Sequence, residues 1–543
     1  MSQVEETTDL TKLVPSTKLD EASRLTIFQH FSRKLASHRN TAILYSELEQ
    51  FASSENLESH HAFVVEINKW AEELHRNAWD ACQEPGGGSY PGFNSLADTS
   101  TRDLSPLPNP DLVSSLLRSV LFLHITTSKQ YHSHSRAFLF SWSVPIEESV
   151  IVSTLKDPEH AIEEAQQKTQ SAKDTHASQG QMLRNVGIGV GAVAGGVLIG
   201  ISGGLAAPLV GAGVTSILGF LGVGGTAAGL LATGLASSSI VCGALFGAYG
   251  SKKSAEVIER CTREVRDLAI VPVRPPADTL ATVFGGDDTF ALQWEVDALI
   301  QLSNALVALV KSQAVKYVKA QIIKRTVLAA LFAALSPTAW LKIAQIIDNP
   351  WANAKSLAHK TGKVLGTLLA QRVLGNRPIT LVGYSLGSLV IFEALQYLAT
   401  LPPSETVHLI QDVYLFGSPI PSNQRPWTAA RRVIAGRLVN GYGKDDYILT
   451  LLSRMSDMSW DVAGLGPVDV QGVENVLCDV DGHLRWRSMI GKSLEKCGVR
   501  DIMEAEVKLQ VEVEGKKVEE TMNLAPDDVN TVLREGPEFT APS

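Results

Sequence analysis

Apolar residues recur at helical spacing from Asp20 to about Glu84: Leu25, Phe28 and Phe31, then Leu44, Leu48 and Phe51, then Phe63, Ile67, Trp70 and Leu74. This predicts a small helical domain over 21–84. Residues 1–20 are polar and read as disordered, and the Gly-, Ser- and Pro-rich stretch 85–110 reads as a linker. Within a further helical region, 111–184, Leu112–Leu123 has a helical pattern and Ala137–Val144 reads as a short strand. Asp157–Arg184 reads as a charged helix with weak heptad character. Between them His132 and His134 alternate with serines. No Cys or acidic partner lies at ligand spacing, so they predict a solvated turn rather than a metal site.

From Asn185 to Ser251 there is no charged residue, and glycines recur every four positions, as in Gly187, Gly191 and Gly195. At about 20 residues per span, with small residues that let helices approach closely, 185–251 predicts a membrane hairpin; the alternative is a Gly/Ala-rich helical pair in a protein core. Arg184 stands before the segment and Lys252 and Lys253 after it, which predicts two spans with both ends cytosolic.

Beyond the hairpin, 252–498 alternates helical and strand patterns. Ser254–Leu268 reads as an amphipathic helix, Ile270–Pro276 as a linker, and Leu280–Phe284 as a strand. Gln293–Ile347 and 354–374 read as helices, and strands follow at Ile379–Val382, from Val413, from Arg437 and from Val473. Strands that each end in a polar loop and alternate with helices predict a parallel α/β sheet whose loops gather at one edge. Residues 499–543 read as an acidic tail with a strand at Val507–Val513.

Composition narrows the function classes. The net charge of −9 and pI near 5.9 give no basic field, so nucleic acid is not expected as a partner. Five scattered cysteines with no C-x-x-C pair predict reduced thiols, with neither a disulfide framework nor a zinc site. No cofactor or metal is predicted. The acidic N-terminus does not resemble a signal peptide.

The chemistry sits at Val382-Gly-Tyr-Ser385-Leu-Gly387, a G-x-S-x-G pattern between a β-branched run and a helical stretch. A serine on such a turn exposes its hydroxyl at a strand end, and the next N–H groups, on Leu386 and Gly387, open a helix where an oxyanion can be held. A serine nucleophile needs a base and an orienting carboxylate, in the chain order Ser, Asp/Glu, His on α/β-hydrolase sheets. Asp445 and Asp446 follow the next strand but one, and His483 the strand after that. Either aspartate satisfies the order, and one of them could instead cap the helix beginning near Tyr447.

Trp294-Glu, Ile347-Asp-Asn-Pro-Trp351, Val382–Gly387, Gly417-Ser-Pro, Gly436–Asp446 and Gly482-His-Leu484 together resemble the DUF726 family of transmembrane and coiled-coil proteins, fungal members included, over about Asp20–Gly498. The resemblance implies an α/β-hydrolase-like sheet with helices on both faces and favours Asp446, which precedes an aromatic residue, as the acid. It also implies that Arg274–Asp288 replaces a longer loop that would supply one oxyanion donor. Two functions follow as expectations. One is a membrane-anchored serine hydrolase that uses Ser385, Asp446 and His483 on an ester, a lipid ester given the bilayer segment beside the site. The other is a catalytically inactive scaffold that binds trafficking proteins of the endomembrane system.

Overall fold

The computed structural model describes residues 10–165 (apart from 15–18, 53–56 and 97), 167, 218, 223, 225–247, 265, 267–272, 284, 288–311, 337–457, 461–480, 482–500 and 502–523. It is mostly helical, built around a small parallel sheet. Ile379–Tyr384 (β3), Ile410–Phe416 (β4), Leu438–Tyr442 (β5) and Val473–Leu477 (β6) lie side by side in chain order. Tyr384 is paired with Phe416, Phe416 with Gly441 and Tyr442 with Leu477, so the four C-terminal ends are level. That alignment brings the loops after β3, β5 and β6 to one edge.

The period-2 pattern of β4 explains the layers. Val413 and Leu415 point into a core shared with Leu389, Val390 and Leu395 of the helix Leu386–Thr400, whereas Tyr414 and Phe416 point into a second core with Trp486, Ile490 and Leu494. Helices therefore cover both faces. Burying each such side chain stabilises the fold by about 1.5–3 kcal/mol. The helix Pro337–Ala370 crosses closely over Leu386–Thr400, because a Cβ on Gly366 would meet the Tyr397 ring at 2.7 Å.

The N-terminal layer consists of helices Glu21–Ala52 (α1), Leu57–Ala81 (α2), Pro110–Ser128 (α3), Ser133–Phe140 (α4), Glu148–Lys156 (α5), Gly225–Ala236 (α6) and Ser238–Phe246 (α7), which share one apolar core. It is tied to the sheet by the buried Arg432–Glu49 ion pair, by Arg136 Nη1 donating to Gln411 Oε1 at 2.6 Å, and by the Ser133 N–H donating to the His408 carbonyl at 3.2 Å.

Several expectations change. Leu10–Leu13, placed in the disordered stretch 1–20, is a helical turn with Leu10 and Leu13 in the core. Ala137–Val144 is no strand: its first residues complete α4. Ala269–Pro272 (β1), expected as linker, pairs antiparallel with Phe290–Gln293 (β2). The Val507–Val513 alternation belongs to a helix, Glu504–Asn523, whose Gln510 Oε1 accepts from the Gly491 N–H at 2.8 Å. At Ala137–Val144 and Val507–Val513 a short apolar run fits both periods, and packing decides. Most of Ser254–Leu268 and of Leu280–Phe284, and much of Arg274–Asp288, lie outside the described residues.

The membrane hairpin also changes. Of 185–251, only 218, 223 and 225–247 are described. The described part is the α6–α7 pair, 12 and 9 residues long and bent by 61°. Among the described residues no single helix is long and apolar enough to cross a membrane; by length and composition only this bent pair passes, taken together. Gly234 serves packing on α3, since a Cβ there would meet Phe122 and the Thr126 hydroxyl at 2.9 Å, whereas a Cβ on Gly229 or Gly243 would meet nothing within 4 Å.

The solvated turn at His132 and His134 is overturned. Both imidazoles are buried. His38 Nε2 lies 3.2 Å from His134 Nδ1, His124 Nε2 lies 3.2 Å from His132 Nδ1, and the His132 ring stacks on His408 at 4.0 Å. The alternating Ser/His polarity signalled solvent, but α1, α3 and the loop before β4 close over it.

Candidate functional site

Strand β3 delivers Ser385 to the sheet edge, where its backbone adopts φ 52°, ψ −129°. A non-glycine residue rarely holds such a conformation, and here the surroundings impose it. The Ser385 N–H donates to the Phe416 carbonyl at 2.9 Å, and the Ser388 hydroxyl donates to the Gly383 carbonyl at 2.9 Å. Gly383 is required by the close approach of the helix behind it, since a Cβ there would meet Ile391 at 2.7 Å and the Gly387 backbone at 2.9 Å. Gly387 is different: a Cβ there would meet nothing within 4 Å. The Leu386 and Gly387 N–H groups belong to the first turn of the helix, where no intrahelical acceptor exists.

Ser385 Oγ lies 2.6 Å from His483 Nε2, and His483 Nδ1 lies 2.7 Å from Asp446 Oδ2. The His483 and Asp446 side chains are 4% and 1% exposed, while Ser385 is half-buried, so only the serine end of the line reaches solvent. His483 stands at the start of a short 3₁₀ turn, His483–Arg485, entered through Gly482 at φ 91°. Asp446 precedes the helix Tyr447–Asp457, and its Oδ1 accepts the Leu449 N–H at 2.9 Å. One carboxylate therefore caps the helix and meets the histidine, while Asp445 is exposed.

The structure thus brings Ser385, His483 and Asp446 together, with Leu386 and Gly387 beside the serine, and leaves Asp445 outside. A line of this kind lets a hydroxyl pass its proton to an imidazole whose other N–H is held by a carboxylate. Sequence reasoning missed Trp486, whose indole N–H donates to Asp446 Oδ2 at 3.1 Å. Its only sequence signal is its place three residues after His483. Among the described residues no group of three or more His, Cys, Asp or Glu could hold a metal ion.

A protein-family model described as "Protein of unknown function (DUF726)" matches residues 181–284 and 275–500. "Uncharacterized membrane protein C6F6.13c" of Schizosaccharomyces pombe is 33% identical over 421 residues, 71% of this chain and 72% of the relative. "Transmembrane and coiled-coil domain-containing protein STS1" of Oryza sativa is 33% identical over 367 residues, 62% of this chain and 55% of the relative. "Probable lipase MIL1" of Saccharomyces cerevisiae is 34% identical over 337 residues, 58% of this chain and 30% of the relative. No solved structure matches the chain.

Proposed function

The chain belongs to the DUF726 family, and on that premise we propose that it is a membrane-associated serine hydrolase on an α/β-hydrolase-like sheet, cleaving esters of lipid type. The observation that carries the reading is the continuous line of 2.6 Å and 2.7 Å contacts from Ser385 through His483 to Asp446. Ser385 Oγ attacks the acyl carbon as its proton moves to His483 Nε2. The tetrahedral oxyanion is held by the Leu386 and Gly387 N–H groups, and Asp446 stabilises the imidazolium and keeps its orientation. His483 then gives the proton to the departing alkoxide, and water repeats the sequence to release the acid and restore Ser385.

Gly387 supports this reading, since its bare α-carbon leaves open the space beside the serine that an acyl group would occupy. The lipid class is supported by the yeast relative named a lipase, and membrane association by relatives named membrane proteins. An endomembrane location is part of the proposal, and so is a hydrolase site facing the cytosol, the orientation resting on the basic flanks of the apolar segment.

The test is hydrolysis of p-nitrophenyl esters of increasing acyl length by the full chain in detergent micelles. The expected result is turnover that rises with chain length and falls by roughly 10³-fold or more in Ser385→Ala. Equal turnover in Ser385→Ala would overturn the proposal.

A further inference from the structure

His483 and Trp486 are three residues apart at the junction of the 3₁₀ turn His483–Arg485 and the helix Trp486–Lys496. At three residues per turn, side chains at i and i+3 lie one above the other. Both ring N–H groups consequently converge on one atom, Asp446 Oδ2, at 2.7 Å from His483 Nδ1 and 3.1 Å from Trp486 Nε1. The indole is fully buried and held on several sides. A Cβ on Gly417 would run into its nitrogen, a Cβ on Gly443 would meet its ring at 3.5 Å, and Phe416 lies at 5.9 Å between ring centroids. Gly417, at φ 52°, thus leaves room for the indole directly beyond the end of β4.

We propose that Trp486 is a positioning residue that acts through Asp446, setting how strongly the carboxylate holds His483; the inference rests on Ser385 being the nucleophile. With the Leu449 N–H on Oδ1, the indole pins the carboxylate plane from both oxygens. It also draws off part of the charge of the same oxygen that faces the imidazole. The carboxylate thereby orients the ring with both of its oxygens held in place. Among the described residues, the titratable or charged side chains brought near include Tyr447, whose ring lies against Gly482, Cys478, beside Gly441, Tyr384, packed on the Trp486 cluster, and Arg485 on the same 3₁₀ turn, while Lys444 and Asp445 follow β5 in the same loop.

The test is the pH profile of the fluorophosphonate labelling rate of the full chain, wild type against Trp486→Phe and against 3-benzothienylalanine at position 486, which keeps the ring shape and replaces only the N–H. Losing the donor strengthens the hold of Asp446 on protonated His483. The acid limb is therefore expected to move to higher pH by about half a unit, so that the rate at pH 6 falls more than the rate at pH 8. A profile that superimposes on wild type in the benzothienyl variant, whatever its plateau, overturns the inference and leaves Ser385 as nucleophile intact. Absence of labelling in the wild type overturns the Ser385 reading itself, and this inference with it.

Discussion

His483 and the five histidines gathered beneath the N-terminal helices are treated in opposite ways. His483 has an unlike partner on each ring nitrogen, the Ser385 hydroxyl on one side and the Asp446 carboxylate on the other. His38, His124, His132, His134 and His408 mainly face one another beneath the N-terminal helices. Burial drives the His38 and His124 imidazoles down to about 4, and it drives His132, His134 and His408 well below the ordinary range, with Arg372, Arg431 and neighbouring imidazoles adding to the effect. Among the described residues no carboxylate is one of the groups shifting these five. The lesson is that burial alone does not make a histidine a base. A carboxylate must supply the charge that desolvation withholds, and of these six it is His483 that has one.

The largest test of this contrast removes the carboxylate. Asp446→Asn keeps the shape of the line but takes away the charge opposite His483, and ester turnover is expected to fall roughly 10⁴-fold. Asp445→Asn, at an exposed position, is expected to leave turnover within about twofold. Equal losses in the two variants would erase the distinction between them.

The histidine cluster makes its own demand, on stability. Its folded-state imidazoles bind protons less readily than those of the unfolded chain, whose ordinary value is 6.5. As pH falls below 6.5 the unfolded state takes up more protons, so stability is intact above about 6.5 and is lost as pH falls, the His38 and His124 share down to about 4 and the His132, His134 and His408 share further still. The apparent Tm, read by scanning fluorimetry, is expected to drop by about 10 °C or more between pH 7.5 and pH 5. A flat profile would mean that the cluster does not open to protons on unfolding.

A smaller effect separates the cluster's members. His408 stacks on His132 and has a buried Nδ1 with no partner among the described residues. His408→Phe keeps a stacking ring and removes one titrating group. The acid-induced drop is expected to shrink by about 2 °C, with the Tm at pH 7.5 nearly unchanged. An unaltered drop would place the acid sensitivity elsewhere.

Where the sequence was legible, the signal was local. The turn at Ser385 needed Gly383 and a strand-to-helix switch, both visible in consecutive residues. Asp446 and His483 stood at strand ends in the right chain order, and the four strands carried their own apolar runs. What was hidden depended on distant contacts. The Ser/His alternation at 132–135 looked solvated because the residues that bury it, His38 and His408 among them, lie far away in the chain. Asp446 could not be told from Asp445 by residue type, although the family resemblance favoured it; the turn of β5 into its helix buries Asp446 and exposes Asp445. Trp486 drew no reading at all, since nothing in its neighbours says that its N–H shares an oxygen with His483. The Gly-rich stretch pointed to bilayer spans on composition, whereas its described helices, 12 and 9 residues long, bend and dock on α3.

Activation of Ser385 as a nucleophile by His483, as proposed, is open to test by covalent capture. The full chain is treated with a fluorophosphonate, its intact mass is measured, and the adduct is mapped by peptide sequencing. One adduct per chain is expected, on Ser385, formed at least about 100-fold more slowly in His483→Ala. An unmodified Ser385 in folded protein, or an adduct that survives in Ser385→Ala, would contradict it.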